Sequence, residues 1–129
     1  MKVGLALYQL IDGAGLVGGR IYPEQAPYGA ATPYIVYTVT SNRPVDDKRR
    51  TPIDEANVDI VSVHSSYGNC MSLADNVRQA LDRKSAEVTD AVAGNIDVQS
   101  IRYTNETTEI SSDRQLYAAI QEYTIRITR

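Results

Sequence analysis

Apolar residues at the start of the chain fall at helical spacing. Val3, Leu7 and Ile11 lie on one stripe with Leu10 beside them, which predicts a short helix over residues 2 to 11. Asp12-Gly13-Ala14-Gly15 ends it, because glycine accepts the left-handed backbone of a helix C-terminus. Arg20-Ile21-Tyr22-Pro23 reads as a short extended segment, and residues 24 to 33, with Pro27, Gly29 and Pro33, read as a loop. Tyr34 to Ser41 is rich in β-branched and aromatic residues and gives the strongest strand signal. Ala56 to Ser65 is a second strand, with Val58 and Ile60 on one face and Val61 and Val63 on the other. Such a pattern means apolar contacts on both faces, or a bulge near Ile60-Val61 that switches the alternation.

From Tyr67 to Lys84 the period changes. Cys70, Leu73, Ala74, Val77, Ala80 and Leu81 form one helical stripe, with Ser66 or Asn69 placed to cap its start. Residues 85 to 95 read as a polar loop. Ile96 to Tyr103 starts another strand region, and Leu116 to Thr128 is the last strand. Its alternating face of Tyr117, Ala119, Tyr123, Ile125 and Ile127 is interrupted by Gln121. Two long strands joined by a polar segment suggest an antiparallel hairpin. Two helices are too few to cover both faces of such a sheet, so they are expected on one face. The expected fold class is α+β: an antiparallel sheet of about four to five strands with two helices packed on one face, in a single domain spanning 1–129.

Composition narrows this picture. The chain has 129 residues, a net charge of -3, one Cys and one His. A lone Cys70 forms no internal disulfide, and one His with one Cys is too sparse for a His/Cys zinc site. A carboxylate-only magnesium site is not excluded by these counts. No apolar run approaches the roughly 20 residues that span a bilayer, and the start lacks the cleavage pattern of a signal peptide. The expectation is a soluble, intracellular protein that binds no membrane. The mild acidity gives no general attraction to phosphate, so no sequence-specific nucleic-acid partner is expected. The nine Tyr, with no Phe or Trp, are expected as half-buried anchors at the sheet margins, Tyr117 and Tyr123 among them.

Candidate chemistry is thin. His64 and Cys70 form a possible nucleophile pair, but Cys70 sits on the apolar stripe of a helix, where a buried inert thiol is the simpler explanation. Asp46-Asp47 and Asp54-Glu55 flank the mid-chain segment and are candidate metal ligands, yet Arg43, Lys48, Arg49 and Arg50 neutralise them. The run Gly13-Ala14-Gly15-Leu16-Val17-Gly18-Gly19 has the spacing of a dinucleotide fingerprint, but a helix precedes it and a strand follows, the reverse of what that fingerprint requires. No cofactor, metal or catalytic residue is assigned, and the expectation is a protein that is not an enzyme.

Several segments together resemble a known family. They are Gly19-Arg20-Ile21-Tyr22-Pro23, Ala26-Pro27-Tyr28-Gly29-Ala30, Thr32-Pro33-Tyr34-Ile35-Val36-Tyr37, the helix Ala74-Asp75-Asn76-Val77-Arg78-Gln79-Ala80-Leu81-Asp82, and the terminal Tyr123-Thr124-Ile125-Arg126-Ile127. In order and spacing, over about residues 2 to 128, they resemble the small tail-completion or tail-terminator proteins of long-tailed phages and prophages. Two features depart from that pattern: Ile60-Val61-Ser62-Val63-His64-Ser65-Ser66-Tyr67 stands where a Val-x-Val-x-Val-Tyr-Ala strand is usual, and the mid-chain segment is long and charged.

The resemblance implies a structural virion protein of the tail, assembled in the host cytoplasm. It implies a homo-oligomeric ring, often a hexamer, that caps the tail tube, ends its polymerisation and joins it to the head connector. Its partners would be copies of itself, the tail tube protein and the head-tail connector protein. The expected subunit or tail interface comprises Tyr22, Tyr34, Tyr37, Arg43, Asp46, Asp47, Lys48, Arg49 and Arg50. The alternatives are a head-tail connector or minor tail protein, or a small ligand-binding module with a deep apolar pocket between helices and sheet.

Overall fold

A computed structural model describes residues 2–27, 29–45, 53–83, 85–90, 94–111 and 116–128. Helix α1 spans Lys2–Gly13 and buries Val3, Ala6, Leu7 and Ile11, the stripe its spacing predicts. Gly15 (φ 67°) closes it in the left-handed region, where its N–H bonds the Asp12 carbonyl. Strand β1 (Ile21–Pro23) leads through the loop to β2 (Tyr34–Pro44), which turns back into β3 (Ile53–His64). Helix α2 (Tyr67–Leu81) follows, then β4 (Ala86–Asp90), β5 (Gly94–Ser111) and β6 (Leu116–Thr128). No helix among the described residues is long and apolar enough to cross a membrane.

The strands form one sheet in the order β1-β2-β3-β6-β5-β4. It has six strands, not four to five. The extra one, β4, lies in the stretch read as a polar loop, since Val88 is its one strongly apolar residue and pairs with Ile96. Nor is the sheet wholly antiparallel, because β1 runs parallel to β2. Strand β3 passes Ile60-Val61 in unbroken register with both neighbours, so apolar contacts on both faces explain its pattern. The irregularities lie instead in β2, between Val39 and Ser41, and in β5, between Val98 and Ser100 and between Tyr103 and Asn105.

Both helices pack on one face. Ile35, Ala56, Val58, Ile60, Ile96, Val98, Ile101, Tyr123, Ile125 and Ile127 from the sheet form one cluster with Val3, Leu7, Ile11, Leu73, Val77 and Leu81 from the helices. Each such Val, Leu or Ile contributes roughly 1.5–3 kcal/mol through burial. Tyr123 departs from expectation: it is fully buried, the largest side chain to be so. It serves as a core ring, stacked edge-on with Tyr103 at 5.7 Å, and burial drives its phenol pKa strongly upward.

Gln121 is what makes this tyrosine tolerable. Its Oε1 accepts the Tyr123 hydroxyl at 3.0 Å, while its Nε2 donates to the Ala74 carbonyl of α2 and to Glu106. The polar residue that interrupts the β6 alternation thus stays on the core face and satisfies a buried hydroxyl there.

Candidate interaction surface

The sheet face opposite the helices is uncovered by any described element, and it divides into two halves. At the end nearest the β5–β6 turn, Tyr22, Tyr34, Val36, Val61, Val63, Ala118 and Ile120 share the surface, because Tyr22 pairs with Val36, Val36 with Val61 and Val61 with Ile120. Most are half-buried, and Val63 is buried. The Tyr22 and Tyr34 rings meet edge-on at 6.0 Å. Two of the three tyrosines named from the sequence therefore form one apolar patch.

The other half is polar. Glu55 sits between Arg43, at 3.1 Å, and Arg126, at 2.9 Å. The hydrogen bond from Arg43, with that from Arg126 second, holds the Glu55 carboxyl below its ordinary pKa. Asn57 bridges Ser41 and Thr124. Between the halves, Asp59 faces Glu122 across β3 and β6. Burial and, less strongly, the Glu122 charge push the Asp59 carboxyl upward. Arg43 is therefore placed in a cross-strand charge row. The sequence candidates Asp46, Asp47, Lys48, Arg49 and Arg50 lie outside the described residues.

Tyr37 points the other way. It packs against the core beside Gly4 and lines a groove of about 370 Å³ with Leu5, Pro23, Glu24 and Val39 at the β1–β2 edge. Burial, with the Tyr8 and Glu24 charges, raises its phenol pKa.

The His64–Cys70 pair does not assemble into a catalytic contact. The Cys70 sulfur lies 3.3 Å from both the Ser62 and Tyr117 carbonyls, and its pKa is pushed up by burial. His64 uses Nδ1 to accept the Ser66 N–H. A thiol held protonated against carbonyls is a poor nucleophile. One cleft of about 500 Å³ is largely polar, lined by Arg83, Ser85, Gln99, Ser100, Ile101, Arg102, Thr124 and Arg126, whereas the groove at Tyr37 is lined mainly by apolar residues of α1, β1 and β2.

What the sequence left undefined is which edge of the sheet stays open. Strand β5 continues well past β4, which pairs only with Gly94 to Val98. Residues flanking the exposed part include Ile110 and Tyr67, among the described residues the two large hydrophobic side chains most open to solvent, 67% and 55% exposed. Tyr67 stacks edge-on with Tyr117 at 5.7 Å.

Comparison with known proteins places this geometry. A family model described as tail completion protein gp17 matches residues 6–128. Among solved structures, the chain is similar to one from the virion of a native gene transfer agent particle, with a TM-score of 0.61 and 14% identity, covering 95% of this chain and 92% of that one. At that identity the likeness shows a shared fold. No curated protein sequence matches.

Proposed function

The chain belongs to the tail completion protein gp17 family and is a structural protein of a phage tail, and from that premise we propose that it caps the tail tube as a ring. In this role it ends tube polymerisation and presents a surface to the head connector, without chemistry of its own. Its partners are further copies of itself, the tail tube protein and the head-tail connector protein, met in the host cytoplasm during assembly and retained in the virion tail.

The observation that supports this reading is the apolar half of the uncovered face. Tyr22, Tyr34, Val36, Val61 and Ile120 sit together on a sheet whose opposite face is already filled by both helices. Tyrosine and arginine are favoured at protein interfaces, where a ring and a polar tip serve both buried and wet surroundings. The apolar patch supplies the former, and the Arg43–Glu55–Arg126 row supplies a rim. Tyr37, at the β1–β2 groove, and the segment Asp46 to Arg50 complete the proposed contact set.

Assembly in the absence of the protein tests the role. Tubes of uncontrolled length that lack heads are expected. Tubes of normal length without heads would place the protein in the connector instead, and normal infectious particles would remove it from either role. Deleting residues 44 to 51 then tests the mid-chain contact, for which the expected outcome is loss of infectious particles.

A further inference from the structure

Three guanidiniums line one cleft at the polar end of the uncovered face. Ile101 and Ile125 are buried in the core, so their neighbours along β5 and β6 point the other way. Register sets Ser100 beside Arg126 and Arg102 beside Thr124. Arg102 and Arg126 are therefore diagonal neighbours, a separation that long side chains bridge. Arg83 arrives from the turn after α2. Its N–H donates to the Ile101 carbonyl at 2.7 Å, which ties that turn to β5 and brings the third guanidinium to the same cleft. The backbone of Arg83 is left-handed (φ 59°), a conformation that glycine takes at less cost.

Hydrogen bonding shows which lining groups are already committed. Gln99 uses its amide on Asp97 and Thr128, and the Thr124 hydroxyl donates to Asn57. Arg126 gives its Nε–H to Glu55, but Glu55 also serves Arg43, so one carboxylate stands between two guanidiniums. Among the described residues, Arg83 and Arg102 have no ion pair, and the Ser85 and Ser100 hydroxyls have no hydrogen-bond partner.

The surrounding carboxylates do not fill the cleft. Asp82 is engaged by Arg78 and by the Tyr103 N–H on the helix side. Asp97, which accepts from Gln99 and Thr128, and its register partner Glu87 stand outside the lining, and Asp59 and Glu122 form the next row along the face. In a chain of net charge -3, the lining thus holds three cations and no anion. One guanidinium fork satisfies a carboxylate. A phosphate group has oxygens for several donors at once, and guanidiniums with serine hydroxyls are a usual donor set around it.

We propose that the cleft between Arg83, Arg102 and Arg126 is a binding site for a phosphate group. The site does not depend on the ring reading, and its test uses the purified protein alone.

Thermal unfolding is compared in inorganic phosphate and in chloride at equal ionic strength, and binding of a short fluorescent duplex DNA is followed by anisotropy. A ligand held by the folded state raises Tm by mass action. Phosphate also stabilises proteins generally through exclusion from their surface, so the variant carries the test. Arg102 is exposed and has no ion pair, so Arg102→Gln should keep the fold. It should abolish the excess Tm rise in phosphate. A duplex that binds, at least tenfold more weakly to Arg102→Gln and with a salt slope smaller by about 1, identifies a phosphodiester backbone as the source. A phosphate-specific rise without duplex binding identifies a small phosphate compound, and both results uphold the site. Should Arg102→Gln lower Tm in chloride, Arg83→Gln decides by the same readouts. A phosphate effect and duplex binding that are absent, or equal in wild type and variants, overturn the proposal. Polyglutamate binding as tightly as the duplex overturns it too, because the cleft would then take carboxylates.

Discussion

The two faces of the one sheet are built differently. Beneath the helices, Val58, Ile60, Tyr123 and Ile125 are shut away from water, and even the polar Gln121 has its bonds satisfied. On the other side, alternate residues of the same strands put Tyr34, Val61 and Ile120 in half-buried positions with no described element over them. Strand β3 contributes to both faces, so a one-residue slip would exchange them. The contrast teaches that the core and the proposed assembly surface occupy alternate positions along a single strand.

The largest expected effect comes from the covered face. Ile60→Ala should lower unfolding free energy by about 2–5 kcal/mol, the usual range for emptying a packed site, read as the shift in urea midpoint. A loss well under that range would mean that the helices do not seal the sheet. Gln121→Ala should cost about 1–3 kcal/mol, because the Tyr123 hydroxyl is left buried without its acceptor. Adding Tyr123→Phe to that change should recover part of the loss.

Tyr34→Ser probes the other face. It should cost only about 1 kcal/mol, the order of the lost Tyr22 ring contact, yet reduce ring assembly far more than Ile60→Ala measured at equal folded fraction. Equal effects on assembly would erase the distinction between the faces.

The smallest effects concern titration on the polar half. The folded Glu55 pKa lies below its unfolded value, so the stability it adds is present above the unfolded pKa and lost as pH falls through the folded one. Glu55→Gln should therefore destabilise by under about 1 kcal/mol at neutral pH and by less in acid. Asp59 has the opposite sign. Its folded pKa is raised, so the contribution present at low pH is lost as pH rises through the folded pKa. Asp59→Asn should give a small rise in melting temperature at neutral pH that shrinks in acid.

Periodicity made both helices and the long strands legible, because burial on one side writes a 3.6- or 2-residue repeat into the chain. It could not reveal β4, whose Ala86-Glu87-Val88-Thr89-Asp90 has too little apolar content to alternate. It misplaced Tyr123 because a hydroxyl suggests a wet margin, and the partner that permits burial, Gln121, read as an interruption. Of the surface, Tyr22 and Tyr34 stand out in the order of segments that resembles the family, and the structure sets their rings side by side. The direction of Tyr37 follows from strand register with Ile60, which a single strand's sequence does not contain. The β5 edge depends on where β4 stops and on a bulge at Thr104, and no local pattern encodes either.

Ring formation at the end of the tail tube is measured most directly by the mass and position of the species formed when purified protein meets purified tubes. The prediction is a closed ring of several copies seated at one tube end, with growth halted there. A protein that stays monomeric and leaves the tube ends bare and growing would contradict it.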